Sequence, residues 1–559
     1  AGNASSVAAI PFTTTATPDT TAPTLSLTSA SATTDTTTTL NFTSDEAGTY
    51  YYVVYAAADA APNAATIAAQ GTAVAKGTAA AVAAANTANV TGLTASTAYK
   101  AYVIVKDAAG NASGIATISF TTIVTPDTTA PTLSSTDTQN TPNTGVEVLV
   151  NGKAENAGTA TTTKVNEQTV TTVAVDSKKL EDKLAAEGEH AVITIPVNTK
   201  SDVVIGELDG QMVKDMEQKQ AVVEIKTADA TYTLPAQQIN ISAISDQLGK
   251  SVQLQDIKLQ IEISKPNMDT VKVVENSAAK GEFALVVPPL NFTVKAKNGD
   301  TTIEVSKFNV YVERTIAIPD GIDPSKITTG VVVDPDGTVR HVPTKIVIID
   351  GKYYAKVNSL TNSTYSVVWH PIEFKDVAQH WAKDAVNDMG SRMVISGIGN
   401  DMFNPDQDIT RAEFAAIMVR GLGLKLENGS SPFADVKITD WYSSAIQTAY
   451  AYKLISGFED GNFRPMDKIT REQAMTIIAK AMEITGLGAS LQAKAADELL
   501  SPFADANNAS EWAKNGIADC LQVGIVSGRS GTVLAPKAYI TRAEVAAIVQ
   551  RLLQKSELI

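Results

Sequence analysis

The sequence predicts a multidomain chain in three zones: N-terminal β-sandwich repeats, a mainly β middle region, and a run of α-helical modules. Three observations predict it. One segment recurs at an interval of 108 residues and is built of short β-branched and aromatic runs. Residues 143–370 alternate apolar and polar positions. From Phe374 onward a tryptophan and an arginine recur three times, always 30 residues apart. Strict internal periods mark tandem modules. A chain of 559 residues with 44% hydrophobic content accommodates about three to five domains of ordinary size.

The first zone is defined by the repeat. Ala1-Gly2-Asn3-Ala4-Ser5 returns at 109–113, Phe12-Thr13-Thr14 at 120–122, and the Pro- and Thr-rich stretch 17–26 at 125–134. Residues 1–16 are therefore expected to be the tail of a β repeat whose body is cut away, 17–124 a complete copy, and 125–142 a linker kept extended by its composition. The first residues, Ala1-Gly2-Asn3, lack an initiator Met and imply that the sequence starts inside a longer protein. Within the complete copy, Tyr50–Tyr55, Tyr99–Val105 and Ile115–Thr121 read as strands between Ala-, Gly-, Asn- and Asp-rich turns, the spacing of a sandwich of short strands. In pattern the copy resembles the immunoglobulin-like and fibronectin-type-III-like modules of bacterial surface proteins, which implies a spacer or an adhesive stalk.

In the middle region, 143–370, strands are predicted at Ala191–Val197, Ala221–Lys226, Ile257–Ser264, Thr301–Glu313 and Tyr365–Trp369, and short helices at Lys178–Glu187 and Gln211–Gln218. Pro335-Asp336-Gly337 and Asp350-Gly351 mark two hairpins. The region is expected to form one or two subdomains. It carries no nucleophile elbow, phosphate loop or metal-ligand spacing, and its plentiful carboxylates read as a solvated β surface.

Composition excludes several functions. One cysteine, Cys520, rules out an internal disulfide framework, and the four histidines are scattered rather than paired for a metal. The net charge of −15 argues against nucleic acid, which is bound through clustered Lys and Arg. No apolar run is long enough to span a membrane.

The helical zone divides into modules at 371–425, 431–487 and 501–559, with a linker at 488–500. Trp381, Trp441 and Trp512 each precede an arginine by 30 residues, and Gly397, Gly457 and Gly528 precede Arg411, Arg471 and Arg542 by 14. Each module reads as helix, loop, helix. After Trp441 an apolar stripe through Ala445, Ile446, Ala449 and Tyr450 should end at Ser456-Gly457 as a glycine-terminated helix. The second helix should open with a capping box, Thr410 with Glu413, Thr470 with Gln473 and Thr541 with Glu544. That places each arginine on the first helical turn, where free N–H groups and a guanidinium suit a carboxylate. Tryptophans in the same grooves would give sugar rings a flat surface, although a core position is equally open to them. Cys520 falls on the apolar helix face and should be core.

The series Phe-x-Asp-Val/Ala, Trp, Ser-Gly, Phe-x-Pro and Ile-Thr-Arg-Ala-Glu, over residues 374–553, resembles the S-layer homology family. The resemblance implies a pseudo-trimer of three modules around a central helical bundle. It further implies non-covalent binding to a secondary cell-wall polymer of Gram-positive bacteria through pyruvylated N-acetylmannosamine. Carried over by motif, Arg411, Arg471 and Arg542 would meet the pyruvate carboxylate, and the three glycines and three tryptophans would line the grooves. Two departures bear on this. Glu472 stands beside Arg471, and copy three has Gly531-Thr532-Val533-Leu534 where copy two has Asp460-Gly461-Asn462-Phe463, so the Arg471 site should be weakened and the third loop reshaped. The expected whole is an extracellular surface-layer or surface-layer-associated protein that is not an enzyme in this portion and needs no cofactor; self-association into a lattice, with calcium helping acidic faces to associate, is open to it. The competing expectation is the anchor of a larger glycoside hydrolase or adhesin.

Overall fold

The computed structural model describes residues 19–31, 36–94, 97–122, 144–165, 168–249, 252–427 and 429–559. The expected repeat tail at 1–16 and linker at 125–142 lie outside them. Two compact units result, one ending at Asp137 and one beginning at Thr138.

The first unit is a β-sandwich. Strands 25–31, 37–44 and 85–91 form one sheet, and 75–81, 48–56, 98–106 and 116–121 the other. Period-two alternation decides which side chains face inward: Leu40, Phe42, Tyr52, Val54, Val90, Val103 and Val105 from both sheets are buried together. The second sheet has a covered outer face as well, where Val53, Tyr102 and Ile104 meet Ile67 of a short helix, Ala64–Ala68, which the sequence reading lacked.

In the second unit the strands of the middle region, from Thr144 to Trp369, form a single hydrogen-bonded sheet, with 301–304 branching from 284–298. Two neighbouring pairs are parallel, 168–175 with 203–209 and 192–196 with 222–226; the other pairs are antiparallel. Parallel strands need a crossover, and the predicted helices supply it, at Ser177–Glu187 and Gly210–Gln218. Both predicted hairpins form, 329–333 with 339–342 and 344–349 with 352–361. The predicted strand 301–313 is two strands. Thr301–Glu304 folds back on 284–298 through Gly299, whose φ of +55° makes the turn, whereas Lys307–Ala317 crosses to pair with 230–235 and 352–361. Helices Ile241–Leu248 and Met268–Lys280, each capped by an asparagine side chain, were not predicted.

The helical zone packs directly against this sheet. Tyr311 Oη donates to Leu422 O at 2.7 Å, Arg340 to Gly423 O at 2.7 Å, and Lys307 pairs with Glu427 at 2.7 Å. Its six main helices are 383–391, 411–421, 443–451, 471–485, 514–522 and 542–555. One apolar cluster takes residues from all three copies, including Met389, Phe414, Ala449, Met475, Cys520 and Val549. In the second helices Phe414, Ile417 and Met418, Met475, Ile478 and Met482, and Val545, Ile548 and Val549 are all buried, and so is Cys520, whose thiol burial pushes far above the ordinary cysteine range.

Candidate functional site

Each helical copy begins with Phe-x-Asp, and the aspartate has a defined task. Asp376 accepts from the N–H groups of Phe403 and Asn404, Asp435 from Phe463 and Arg464, and Asp505 from Leu534 and Ala535, all between 2.6 and 3.0 Å. The second residue of each pair is held at positive φ, +60°, +56° and +53°, a conformation that costs an ordinary residue energy and so needs such support. Copy three keeps the same bonds despite its different sequence. The turn ahead of these bonds does differ, as expected: Val533 N–H donates to Ser530 O, where in copy two Gly461, at φ +78°, donates to Phe458 O, and Leu534 is buried where copies one and two bury Phe403 and Phe463.

The carbonyl that follows in each loop receives an arginine from another copy. Arg411 Nε donates to Phe463 O at 2.8 Å, Arg471 Nε to Leu534 O at 3.1 Å, and Arg542 Nε to Phe403 O at 2.8 Å. Copy one thus reaches into two, two into three, and three back into one. The backbone closes the same ring. The first two N–H groups of each second helix donate to the neighbouring loop: Arg411 and Ala412 to Asp467 and Pro465, Arg471 and Glu472 to Ala538 and Pro536, Arg542 and Ala543 to Gln407 and Pro405. The third N–H goes to the capping threonine, and all three capping boxes form with both bonds. The expected free N–H groups at these helix starts are therefore already bonded, and of the two expected donors only the guanidinium is left.

The helix after each tryptophan also ends differently from the prediction. It stops at Ala451 in copy two, and the left-handed turn is made by Lys453, as it is by Met393 in copy one and Gly524 in copy three. Gly457 is glycine because of packing: a Cβ there would lie 2.5 Å from the Phe433 ring and 2.8 Å from Asn462 O. Gly397 and Gly528 face Phe374 and Phe503 in the same way. Tyr450, counted in the apolar stripe, is exposed; Ala445, Ile446 and Ala449 are buried.

Two grooves collect the predicted residues. The first, about 600 Å³, is lined by Arg411 of copy one, Ser456, Gly457 and Gln473 of copy two, and Trp512 of copy three. The second, about 570 Å³, is lined by Arg471 of copy two, Ser527, Gly528 and Glu544 of copy three, and Trp381 of copy one. Each groove is thus assembled from all three copies. Arg542 donates to Ser396 O at 2.8 Å beside Gly397, the corresponding approach of copy three to copy one. The tryptophans are not core: Trp381 and Trp441 are 64% and Trp512 58% exposed. A cation nine residues beyond each arginine, at Arg420, Lys480 and Arg551, went unnoticed in the sequence although its spacing is regular. Lys480 and Arg551 line their grooves.

The grooves differ electrostatically. Arg411 is 7% exposed and lies over the rings of Phe458 and Phe463 at 4.7 and 4.6 Å. Burial pulls its guanidinium down to about 10, so it is still charged at neutral pH. Arg471 is lowered by burial too, against the opposing pull of Glu544, whose Oε1 is 2.9 Å away. Burial opposes ionisation of Glu544, yet Arg529, the Thr541 N–H and Arg471 together hold its carboxyl below the usual range. Glu472, expected to weaken Arg471, points elsewhere: it is buried, accepting from Ser510 and from Lys537 at 2.7 Å. In the first unit, Asp19, Glu46 and Asp107 bring one carboxylate oxygen each within 4.8 Å of one another, the oxygen donors a hard cation takes.

A family model described as S-layer homology domain matches residues 373–415, 432–475 and 502–546. An amylopullulanase of Thermoanaerobacterium thermosulfurigenes is 29% identical over 383 residues, 66% of this chain and 19% of that protein. Exoglucanase XynX of Acetivibrio thermocellus is 38% identical over 198 residues, 35% of this chain and 18% of its own. The surface-layer 125 kDa protein of Lysinibacillus sphaericus is 34% identical over 177 residues, 31% and 14% respectively. The chain therefore spans less than a fifth of each of these relatives. Among solved structures, the fn3 domain of human collagen alpha-1(XX) chain aligns at 13% identity and TM-score 0.14, covering 22% of this chain and 99% of that one, too slight a similarity to bear on the fold. No helix among the described residues is long and apolar enough to cross a membrane. With the motif, the ring of three copies and the matched model in agreement, residues 373–546 are three S-layer homology domains of a cell-surface protein.

Proposed function

We propose that the three domains anchor an exported protein non-covalently to the cell wall by binding a secondary wall polysaccharide that carries pyruvylated sugars. The observation that carries this is the composition of the grooves: a buried but charged arginine, a packed Ser-Gly edge and an exposed tryptophan, each from a different domain. A guanidinium in a partly dry cleft favours a carboxylate, and an indole face suits the apolar face of a sugar ring. Arg411, Arg471 and Arg542 are the anion contacts in this reading. Gly397, Gly457 and Gly528 form the groove edges, and Trp381, Trp441 and Trp512 the sugar platforms. The β regions serve as spacer, the segment has no catalytic role of its own, and the whole protein is a surface-layer or surface-layer-associated protein.

A second reading is favoured by the names of two relatives, an amylopullulanase and an exoglucanase: the same anchor carrying an extracellular glycoside hydrolase. Both readings share one test, binding of the chain to purified wall polymer before and after removal of pyruvyl groups. Anchoring through the grooves predicts that depyruvylation abolishes binding and that Arg411→Ala weakens it. Equal binding to both polymers would refute recognition through the pyruvyl carboxylate.

A further inference from the structure

The residue at the third position of each capping box does a second job. Because the domains form a ring, it faces the arginine of the preceding domain. Glu544 of domain three pairs with Arg471 of domain two at 2.9 Å, and Glu413 of domain one stands 3.6 Å from Arg542 of domain three. In domain two the position is Gln473, lining the same groove as Arg411. Arg411 has no ion pair among the described residues, and only its Nε is hydrogen-bonded.

We propose that this single difference allocates ligand binding: Gln473 leaves the Arg411 groove open to an anionic sugar group, whereas Glu544 occupies the place of that group in the Arg471 groove. The inference rests on the anchoring reading above and goes beyond it by naming the groove and the residue that selects it. Four further observations fit. Gln473 Oε1 accepts from Thr470 N at 3.1 Å, leaving its amide NH₂ without a partner among the described residues and available as a second donor. Lys480 lines the groove without an ion pair among the described residues. In the Arg471 groove, by contrast, Glu544 is also held by Arg529 at 3.0 Å, so displacing it means breaking two charge-assisted pairs. Arg542 is engaged besides by two carbonyls, Phe403 O and Ser396 O, both at 2.8 Å.

The substitutions that test this already occur within the triplet. Glutamate and glutamine both close the capping box here, so Gln473→Glu and Glu544→Gln preserve the helix start. The probe is a pyruvylated N-acetylmannosamine glycoside, titrated calorimetrically into the full chain, with urea unfolding as the check on folding. The native chain is expected to bind one equivalent. Gln473→Glu should weaken that site at least about tenfold, equivalent to 1.4 kcal/mol, and Glu544→Gln should add a second site. Binding unchanged in Gln473→Glu, or lost in Arg471→Ala but retained in Arg411→Ala, would overturn the allocation while leaving the anchor intact. A native chain that ignores the glycoside at millimolar concentration would overturn the anchoring reading and this inference with it.

Discussion

Lowering the pH from 7 to 5 should destabilise the second unit by about 2 kcal/mol through one side chain, His341. The residue lies on strand Val339–Val342, 3% exposed, where the sheet meets the helical zone and Gly423 packs against its carbonyl. Its Nδ1 is 2.9 Å from Thr329 Oγ1, and its Nε2 has no partner among the described residues. Burial first, and the nearby Arg392 second, pull the imidazole down from 6.5 to about 3. The sign follows from proton counting. Between those two values the unfolded chain holds a proton on His341 and the folded chain does not. Stability is therefore complete above pH 6.5 and falls by about 1.4 kcal/mol per unit as the pH drops towards 3. All four tryptophans, Trp369, Trp381, Trp441 and Trp512, belong to this unit, so urea unfolding followed by tryptophan fluorescence reports on it. Measured at pH 7 and 5 in the native chain and in His341→Gln, the difference between the two pH responses isolates His341, because every carboxylate is common to both. Equal losses in the two chains would refute the reasoning.

Closure of the ring is open to a similar test. Arg542→Met removes two charge-assisted bonds to Phe403 O and Ser396 O, which should cost about 2–4 kcal/mol. It should also raise amide hydrogen exchange in residues 396–404 of domain one, far away in the sequence; unaltered exchange there would show that the copies do not depend on one another. Cys520 should resist alkylation at pH 8 in the folded chain and react on addition of urea, because burial both shields the thiol and raises its pKa.

What the sequence made legible was whatever depends on near neighbours along the chain. The capping boxes are fixed by contacts three residues apart, and all three form. Some strand positions in the middle region, such as 192–196, 222–226 and 258–264, follow from period-two alternation, but 153–165, 168–175, 203–209 and 284–298 went unpredicted, and so did the order of strands, since the parallel pairing of 168–175 with 203–209 is a matter of topology. Arg314 shows the limit within one strand. It was not singled out from the sequence, and it is fully buried, with its guanidinium over the rings of Tyr232 and Tyr365 and bonded to Val312 O and Thr361 O.

The grooves mark the same boundary more sharply. Tandem repetition identified Trp, Gly and Arg as a set in each copy, but in neither groove do the three come from one copy. The loop carbonyls that receive Arg411, Arg471 and Arg542 lie 52, 63 and 139 residues away. Sequence therefore names the parts, and the ring permutes them. A substitution in one domain consequently acts on the arginine of the domain before it. The departure in copy two that matters lies not at Glu472, the one expected to weaken Arg471, but at the residue after it. Through Gln473 it instead removes the carboxylate that would have faced Arg411, which under the proposed allocation favours an anion in that groove.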